Sequence, residues 1–231
     1  MLRAWIDTVR LRLRGEKPVG RVQTRCARRR IGTSYGGGTI CPDGLNSESV
    51  VYSVGVGEDV SFDLALIRAF GCTVWGFDPT PKSIAWVRRQ ELVPQFQFSE
   101  FGLAGHDGTV SFYTPENPNH VSASIVNRPG TTTDTITVPV RRLKTTMDAL
   151  GHAGLDLLKL DIEGAEYEVV DDIVSSWGEK IPIRQLLIEF HHRFFPDGAD
   201  RTRRAIDLLN ARGFRIFNIS QNAIEYSFIQ G

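Results

Sequence analysis

Short apolar runs of β-type residues alternate along most of this chain with amphipathic stretches of helical period. Val50-Val51-Tyr52-Ser53-Val54 reads as a first strand that stops at Gly55-Val56-Gly57. Phe62, Ala65, Leu66, Ala69 and Phe70 then fall on one helix face, which Gly71 ends. Thr73–Phe77 is the second strand, Pro79 and Pro81 set the start of a helix carrying Ile84, Ala85 and Val87, and residues 96–104 (FQFSEFGLA) read as a third strand and its exit. Strand, helix, strand, helix, strand at this spacing implies right-handed crossovers and a parallel sheet covered on both faces by helices.

Between residues 105 and 145 the rhythm changes. Asp107-Gly108 looks like a hairpin turn, with a short strand over 109–114 and another over 135–140. The polar connector between them, Pro115 to Asp134, is long for a compact domain, and such loops carry function more often than their length alone would suggest. Its Asn117, His120, Ser122, Ser124 and Arg128 are therefore candidates for recognising a substrate, with a mobile surface loop as the plain alternative.

The alternation resumes with Leu155–Leu160, a buried-strand run that ends at Asp161-Ile162-Glu163-Gly164-Ala165-Glu166 and continues as a helix through Val169, Val170, Ile173 and Val174. Gln185–Phe190 is the fifth parallel strand, followed by His191 and His192. Ala205, Ile206, Leu208 and Leu209 mark the next helix, closed at Gly213. The runs 214–219 and 223–229 are separated by too few residues for a parallel crossover, so they pair antiparallel. The chain is thus α/β: a mostly parallel sheet finished by a hairpin strand.

Composition narrows the reading. The 231 residues are 41% hydrophobic and 23% charged, as in one globular domain with a sizeable core. Net charge is zero, but residues 1–30 hold ten Lys or Arg against two acids, leaving seventeen bases against twenty-five acids beyond them. That acidic body argues against an extended nucleic-acid surface. Cys26, Cys41 and Cys72 have no paired spacing that suggests a zinc knuckle or a disulfide framework, which fits a reducing, cytoplasmic setting. No window approaches the ~20 apolar residues of a membrane span, and no secretion-type apolar core stands at the N-terminus.

Leu2, Trp5, Ile6, Val9 and Leu13 recur at helical spacing among arginines, which predicts a short amphipathic helix. It can cover a cleft, dock a partner, or lie peripherally on a membrane surface. Tyr35-Gly36-Gly37-Gly38 and Cys41-Pro42-Asp43-Gly44 are loop chemistry just upstream of the first strand, where they could fold over a crevice or serve as a solvated linker. The expected division is a basic helix and cap over 1–48 and the main domain over 49–231.

In an open α/β sheet, small ligands bind at the carboxyl ends of the strands, and glycines there admit them close to the backbone. Gly55 and Gly57 occupy that place, although Gly-x-Gly alone suits an ordinary tight turn equally well. Asp78, at the tip of the second strand, stands where a carboxylate accepts hydrogen bonds from a ribose diol.

The glycine turn, the acid at the second tip, VWGFDPTP (74–81), LLKLDIEGAEYEVV (157–170) and the closing hairpin resemble the FkbM family of S-adenosylmethionine-dependent methyltransferases over roughly residues 49–219. KLDIEGAE, residues 159–166, is the most specific part. Where many members read Asp-x-Gly-Ala-Asn-x-Gly, this chain has Ser53-Val54-Gly55-Val56-Gly57-Glu58-Asp59, so the first acid and the last glycine are replaced. The resemblance implies a class I, Rossmann-like three-layer sandwich whose seven-stranded sheet ends in an antiparallel strand. It implies S-adenosylmethionine as cofactor and a hydroxyl of a small molecule, with sugars or glycoconjugates favoured, as the methyl acceptor. Gly55 and Gly57 would approach the methionine part, Asp78 would bind the ribose hydroxyls and Phe101, Gly102 and Leu103 would lie along the adenine, with Ser53, Asp59 and Pro79 also among the cofactor-binding residues. Asp161 would sit beside the methyl, Glu163 and Glu166 would orient the acceptor or the loop, and His191 would be the base.

Other readings of the same residues remain. Asp161 and Glu163 could cap the following helix, His191 could be a polar strand end, and although Asp161, Glu163 and His191 are ligand types for a divalent cation, their spacing demands none, so no metal is expected. A nicotinamide-dependent oxidoreductase is the competing activity, weakened because Val60 stands where a third dinucleotide-binding glycine belongs. A cofactor-binding relic without turnover is the third.

Overall fold

The computed structural model describes residues 19–116, 124–127 and 130–231; the expected amphipathic helix of residues 2–13 and the loop residues Asn117, His120, Ser122 and Arg128 lie outside them. Twelve strands appear among the described residues: β1 Arg29–Ile31, β2 Gly38–Ile40, β3 Val50–Val54, β4 Thr73–Phe77, β5 Phe96–Ser99, β6 Gly102–Leu103, β7 Gly108–Pro115, β8 Thr131–Arg141, β9 Leu155–Leu160, β10 Ile183–Glu189, β11 Phe214–Ile219 and β12 Glu225–Gln230. The helices are α1 Ser61–Phe70, α2 Pro81–Val87, α3 Leu143–Leu150, α4 Glu166–Ser176 and α5 Gly198–Ala211.

Seven strands make the central sheet in the order β5-β4-β3-β9-β10-β12-β11. β12 runs antiparallel to both its neighbours, and β3, β4, β5, β9 and β10 are parallel. The period of two along each strand sorts the core into two layers. Tyr52, Leu158, Leu186 and Ile188 face α3, α4 and α5, whereas Val51, Leu157 and Leu187 face α1, α2 and the β1–β2 hairpin. Helices on both faces of a mostly parallel sheet form the expected three layers. Gly71 ends α1 in the left-handed conformation and Pro81 occupies the first turn of α2, as their residue types require.

Three local expectations change. The 96–104 run is two strands: β5 joins the main sheet, while β6 pairs with β8 in a separate three-stranded sheet of order β6-β8-β7. β8 begins at Thr131 rather than 135, and Ser124 folds back to pair with Tyr113, so the long connector is shorter than it reads. Residues 29–40 form an antiparallel hairpin whose Ile31 and Ile40 are buried with Val51, Phe62 and Leu187. Gln185, fully buried in β10, fastens that hairpin by accepting from the Cys41 N–H and donating to the Cys41 carbonyl, both at 2.8 Å. Among the described residues no helix is long and apolar enough to cross a membrane.

Candidate active site

The carboxyl ends of β3, β4 and β9 open into a cavity of about 810 Å3, including its mouth. Gly55 and Gly57 form its floor with left-handed backbones, φ +83° and +59°. They do different things. A Cβ on Gly55 would lie 1.7 Å from the Asp161 carbonyl oxygen, so this glycine permits β3 and β9 to touch, not a ligand to approach. A side chain at 55 would thus meet Asp161 before it reached the crevice. Gly57 has nothing within 4 Å of the corresponding position and presents open backbone to the cavity.

Asp78 is 5% exposed and lines the cavity. Its Oδ2 accepts from the Gly57 N–H at 2.8 Å, and its Oδ1 accepts from the Thr80 N–H at 2.9 Å and the Thr80 hydroxyl at 2.6 Å. A carboxylate offers about four lone-pair sites, so one remains for a ligand hydroxyl. Asp59 also lines the cavity; burial alone would raise its carboxyl, but the hydroxyls of Ser61 and Thr33 and the Ser61 N–H hold it below the usual carboxylate range. Pro79, Gly102 and Leu103 complete the wall, joined by Thr80, Ser83 and Phe112. Ser53 and Phe101 are not brought to it. Ser53 is buried in β3, and burial pushes the Asp63 carboxyl of α1 up while Lys159 and the Ser53 hydroxyl temper the rise. Phe101 packs on Phe77 with Arg141 over its ring, 4.5 Å from its centre.

At the β9 tip, Glu163 adopts φ +52° and Gly164 φ +109°, and neither Asp161 nor Glu163 caps α4. The Ser124 hydroxyl donates to the Glu163 carbonyl at 3.0 Å, which ties the β7–β8 connector to this turn. Glu166, 0% exposed, is the fastener: Oε2 accepts from the Gly164 N–H at 2.9 Å and Oε1 from the His191 N–H at 2.6 Å.

His191 thereby enters a ring of acids. Its Nε2 lies 3.8 Å from Asp161 Oδ1, 3.7 Å from Glu163 Oε2 and 3.9 Å from Glu189 Oε1, while its Nδ1 is 3.3 Å from Glu166 Oε1. Burial pushes its pKa down, but Glu166, Glu163 and Asp161 overcome that and raise it to about 9. An imidazolium has no lone pair to receive a proton, so at neutral pH these surroundings oppose the expected role of base. β10 ends at Glu189 and a 3-10 turn begins at His192, so the strand alternation that would set His192 on the opposite face does not extend that far.

A second cavity of about 350 Å3 lies under the hairpin and shares Tyr35, Gly36, Lys159 and Asp161 with the first. Glu189, Glu225 and Ser227 line it. Burial first, and then the charge of Asp161, raises Glu189 to about 7. Partial burial and then Asp161, Glu163 and Glu189 raise the Tyr35 phenol. Sequence reasoning missed Phe112, Lys159 and Glu189. Lys159 and Glu189 were visible only as the polar positions of apolar runs, LLKL and LLIEF.

The strand order, the single antiparallel strand next to the sheet's end and a glycine turn facing an acid define a class I methyltransferase. Its cofactor is S-adenosylmethionine, and the cavity suits it: four acids, Asp59, Asp78, Asp161 and Glu163, face one Lys159 and favour a sulfonium cation. The methyltransferase FkbM domain matches residues 49–216, and the chain belongs to that family. Probable methyltransferase-like protein 24 of Homo sapiens is 27% identical over 147 residues, 63% of this chain and 33% of that protein. The Rattus norvegicus protein of the same name is 26% identical over 142 residues, so the chain spans about a third of the length of the curated relatives it matches. Among solved structures, the Methanococcus jannaschii fibrillarin pre-rRNA processing protein superposes with a TM-score of 0.46 at 10% identity, covering 93% of this chain and 87% of that one. Aeropyrum pernix fibrillarin with natively bound S-adenosyl-L-methionine gives 0.41 at 11%, covering 80% and 66%.

Proposed function

We propose that this methyltransferase acts on a hydroxyl oxygen of a small, hydroxyl-rich molecule such as a sugar or glycoconjugate, seated in the cavity under the hairpin. The observation that carries this reading is the junction of the two cavities at Asp161, with the acceptor side walled by the carboxylates of Glu189 and Glu225 and by Ser227. Carboxylates accept hydrogen bonds from hydroxyls and repel phosphate, so a polyol suits this wall better than a polynucleotide.

Bound S-adenosylmethionine supplies an electrophilic methyl group on a sulfonium. Asp78 and the bare backbone of Gly57 hold its ribose side, and Gly102, Leu103 and Phe112 enclose the apolar part. The wall then has two tasks, to align the acceptor oxygen and to take its proton; alignment contributes several kcal/mol. Asp161 at the junction and Glu189 in the acceptor cavity are the carboxylates that take the proton, and Tyr35 lines both cavities.

The test is to incubate the full chain with methyl-deuterated donor and a panel of mono- and disaccharides beside a metabolite extract. A labelled product whose methyl resonance is that of an ether supports the reading. Label found only on nitrogen, or only on nucleic acid, overturns it.

A further inference from the structure

We propose that Asp161, Glu163 and His191 form a binding site for one divalent cation of the Mn2+ and Mg2+ class, set in the wall between the two cavities. One imidazole nitrogen and one oxygen from each carboxylate lie within 4.8 Å of one another. The Nε2 separations, 3.8 Å to Asp161 Oδ1 and 3.7 Å to Glu163 Oε2, are beyond hydrogen-bond reach. Ligand atoms about 2.1 Å from a shared ion stand roughly 3 to 4 Å apart at tetrahedral or octahedral angles. The gap is therefore the width of an ion.

The surroundings of the ring point the same way. The His191 side chain is nine-tenths buried, and its Nε2 faces three carboxylate oxygens at ion-pair distances of 3.7 to 3.9 Å without a hydrogen bond to any. Behind the ring, Glu166 Oε1 stands 3.3 Å from Nδ1, on the side from which a carboxylate steadies a ligating imidazole, although Nδ1 makes no hydrogen bond among the described residues. The same carboxylate holds the backbones of Gly164 and His191, so the ring and the turn are positioned as one unit. The left-handed Glu163, braced by Ser124, is local strain of the kind that clusters at ligand sites. Two carboxylates and one imidazole, with no thiolate, select a hard or borderline ion, which on binding displaces the proton of the imidazolium to solvent.

Asp161 walls both cavities, so free coordination positions on the ion would face an acceptor hydroxyl and lower its pKa. That clause rests on the O-methylation reading; the ion site itself does not.

The experiment is Mn2+ titration of the chelator-stripped full chain, with no donor or acceptor, followed by loss of the free-ion electron paramagnetic resonance signal and by calorimetry. One equivalent should bind and be displaced by excess Mg2+. Affinity should fall at least about tenfold in Asp161→Asn and in Glu163→Gln, and about 10- to 100-fold in Glu166→Gln. Glu168→Gln, which alters an exposed acid paired with His106, should bind like the parent. Circular dichroism confirms folding; should Glu166→Gln fail to fold, the two ligand variants decide. Absence of Mn2+ binding, or binding unchanged in folded Asp161→Asn and Glu163→Gln, overturns the site. If methyl transfer proves to go to nitrogen while one Mn2+ still binds here, the acceptor reading falls and this site stands.

Discussion

Substituting alanine at Gly55 and at Gly57 should separate what the two glycines do. At Gly55 the new Cβ meets the Asp161 carbonyl oxygen at 1.7 Å, and the tips of β3 and β9 must part until the contact exceeds 3.0 Å. One backbone bond spans that junction, Asp161 N–H to Val54 O at 3.1 Å. Losing it costs about 1 to 2 kcal/mol, and a left-handed alanine adds about 1 to 2 kcal/mol. The sum, about 2 to 4 kcal/mol before any strain in the strands, is a large part of the whole stability of a domain, about 5 to 15 kcal/mol. Gly57→Ala incurs only the left-handed conformation, about 1 to 2 kcal/mol, because its Cβ meets nothing within 4 Å. Its methyl projects into the donor cavity and should weaken S-adenosylmethionine at least about tenfold, or about 1.4 kcal/mol. Urea unfolding followed by circular dichroism measures the first effect, and calorimetric titration of the donor the second. Equal unfolding midpoints for the two variants, or a Gly57→Ala protein that binds donor like the parent, would refute the division of labour.

Asp78→Asn should weaken donor binding by about 1 to 3 kcal/mol, since an amide brings a donor against the Gly57 or Thr80 donors and offers a poorer acceptor to the ligand; unchanged affinity by titration would remove Asp78 from the ribose site. Gln185→Leu leaves the Cys41 N–H and carbonyl unbonded under the hairpin and should cost about 2 to 4 kcal/mol, seen as a lowered urea midpoint. In chelator, folding stability should fall as pH rises. Glu189 is raised from 4.5 to about 7 and His191 from 6.5 to about 9, so each contributes stability that is complete below the lower value and lost by the upper. Glu189→Gln should flatten the stability profile between about pH 5 and 7, and His191→Gln between about pH 7 and 9; a parent protein whose stability rises over pH 7 to 9, with no difference from His191→Gln, contradicts the acid ring around His191.

The parallel strands were legible because burial on both faces leaves uninterrupted apolar runs, and β3, β4, β9 and β10 emerged within a residue or two of their expected bounds. Asp78 was singled out from position, as the first acid after such a run, whereas the role given to Asp161 came from the family resemblance. The β1–β2 hairpin was not legible. RRI and GTI are three-residue strands whose pairing depends on seating Ile31 and Ile40 against α1 and on the Gln185 side chain standing in for a neighbouring strand. The cue was Gln185 itself, an amide in an otherwise apolar run, which is affordable only when both its ends are bonded. The start of β8 escaped for the opposite reason: TTTDT carries no apolar alternation, and Thr133, Asp134 and Thr135 remain exposed along it.

Ser53 does not line the donor cavity, whose nearby acids are Asp59 and Asp78. Asp59 is held by the Thr33 hydroxyl at 2.7 Å and the Ser61 N–H at 2.7 Å, so the hairpin and the start of α1 fix its position. A motif match at Gly55 thus locates the turn, whereas the charge beside the cofactor is set by contacts from residues 33 and 61. The same holds at the β9 tip. Glu166 touches neither cavity, but through the Gly164 and His191 backbones and the Nδ1 side of the ring it determines where His191 sits and what charge it carries. The chemistry available at Asp161 and Glu163 is therefore conditional on an acid that is wholly buried behind them.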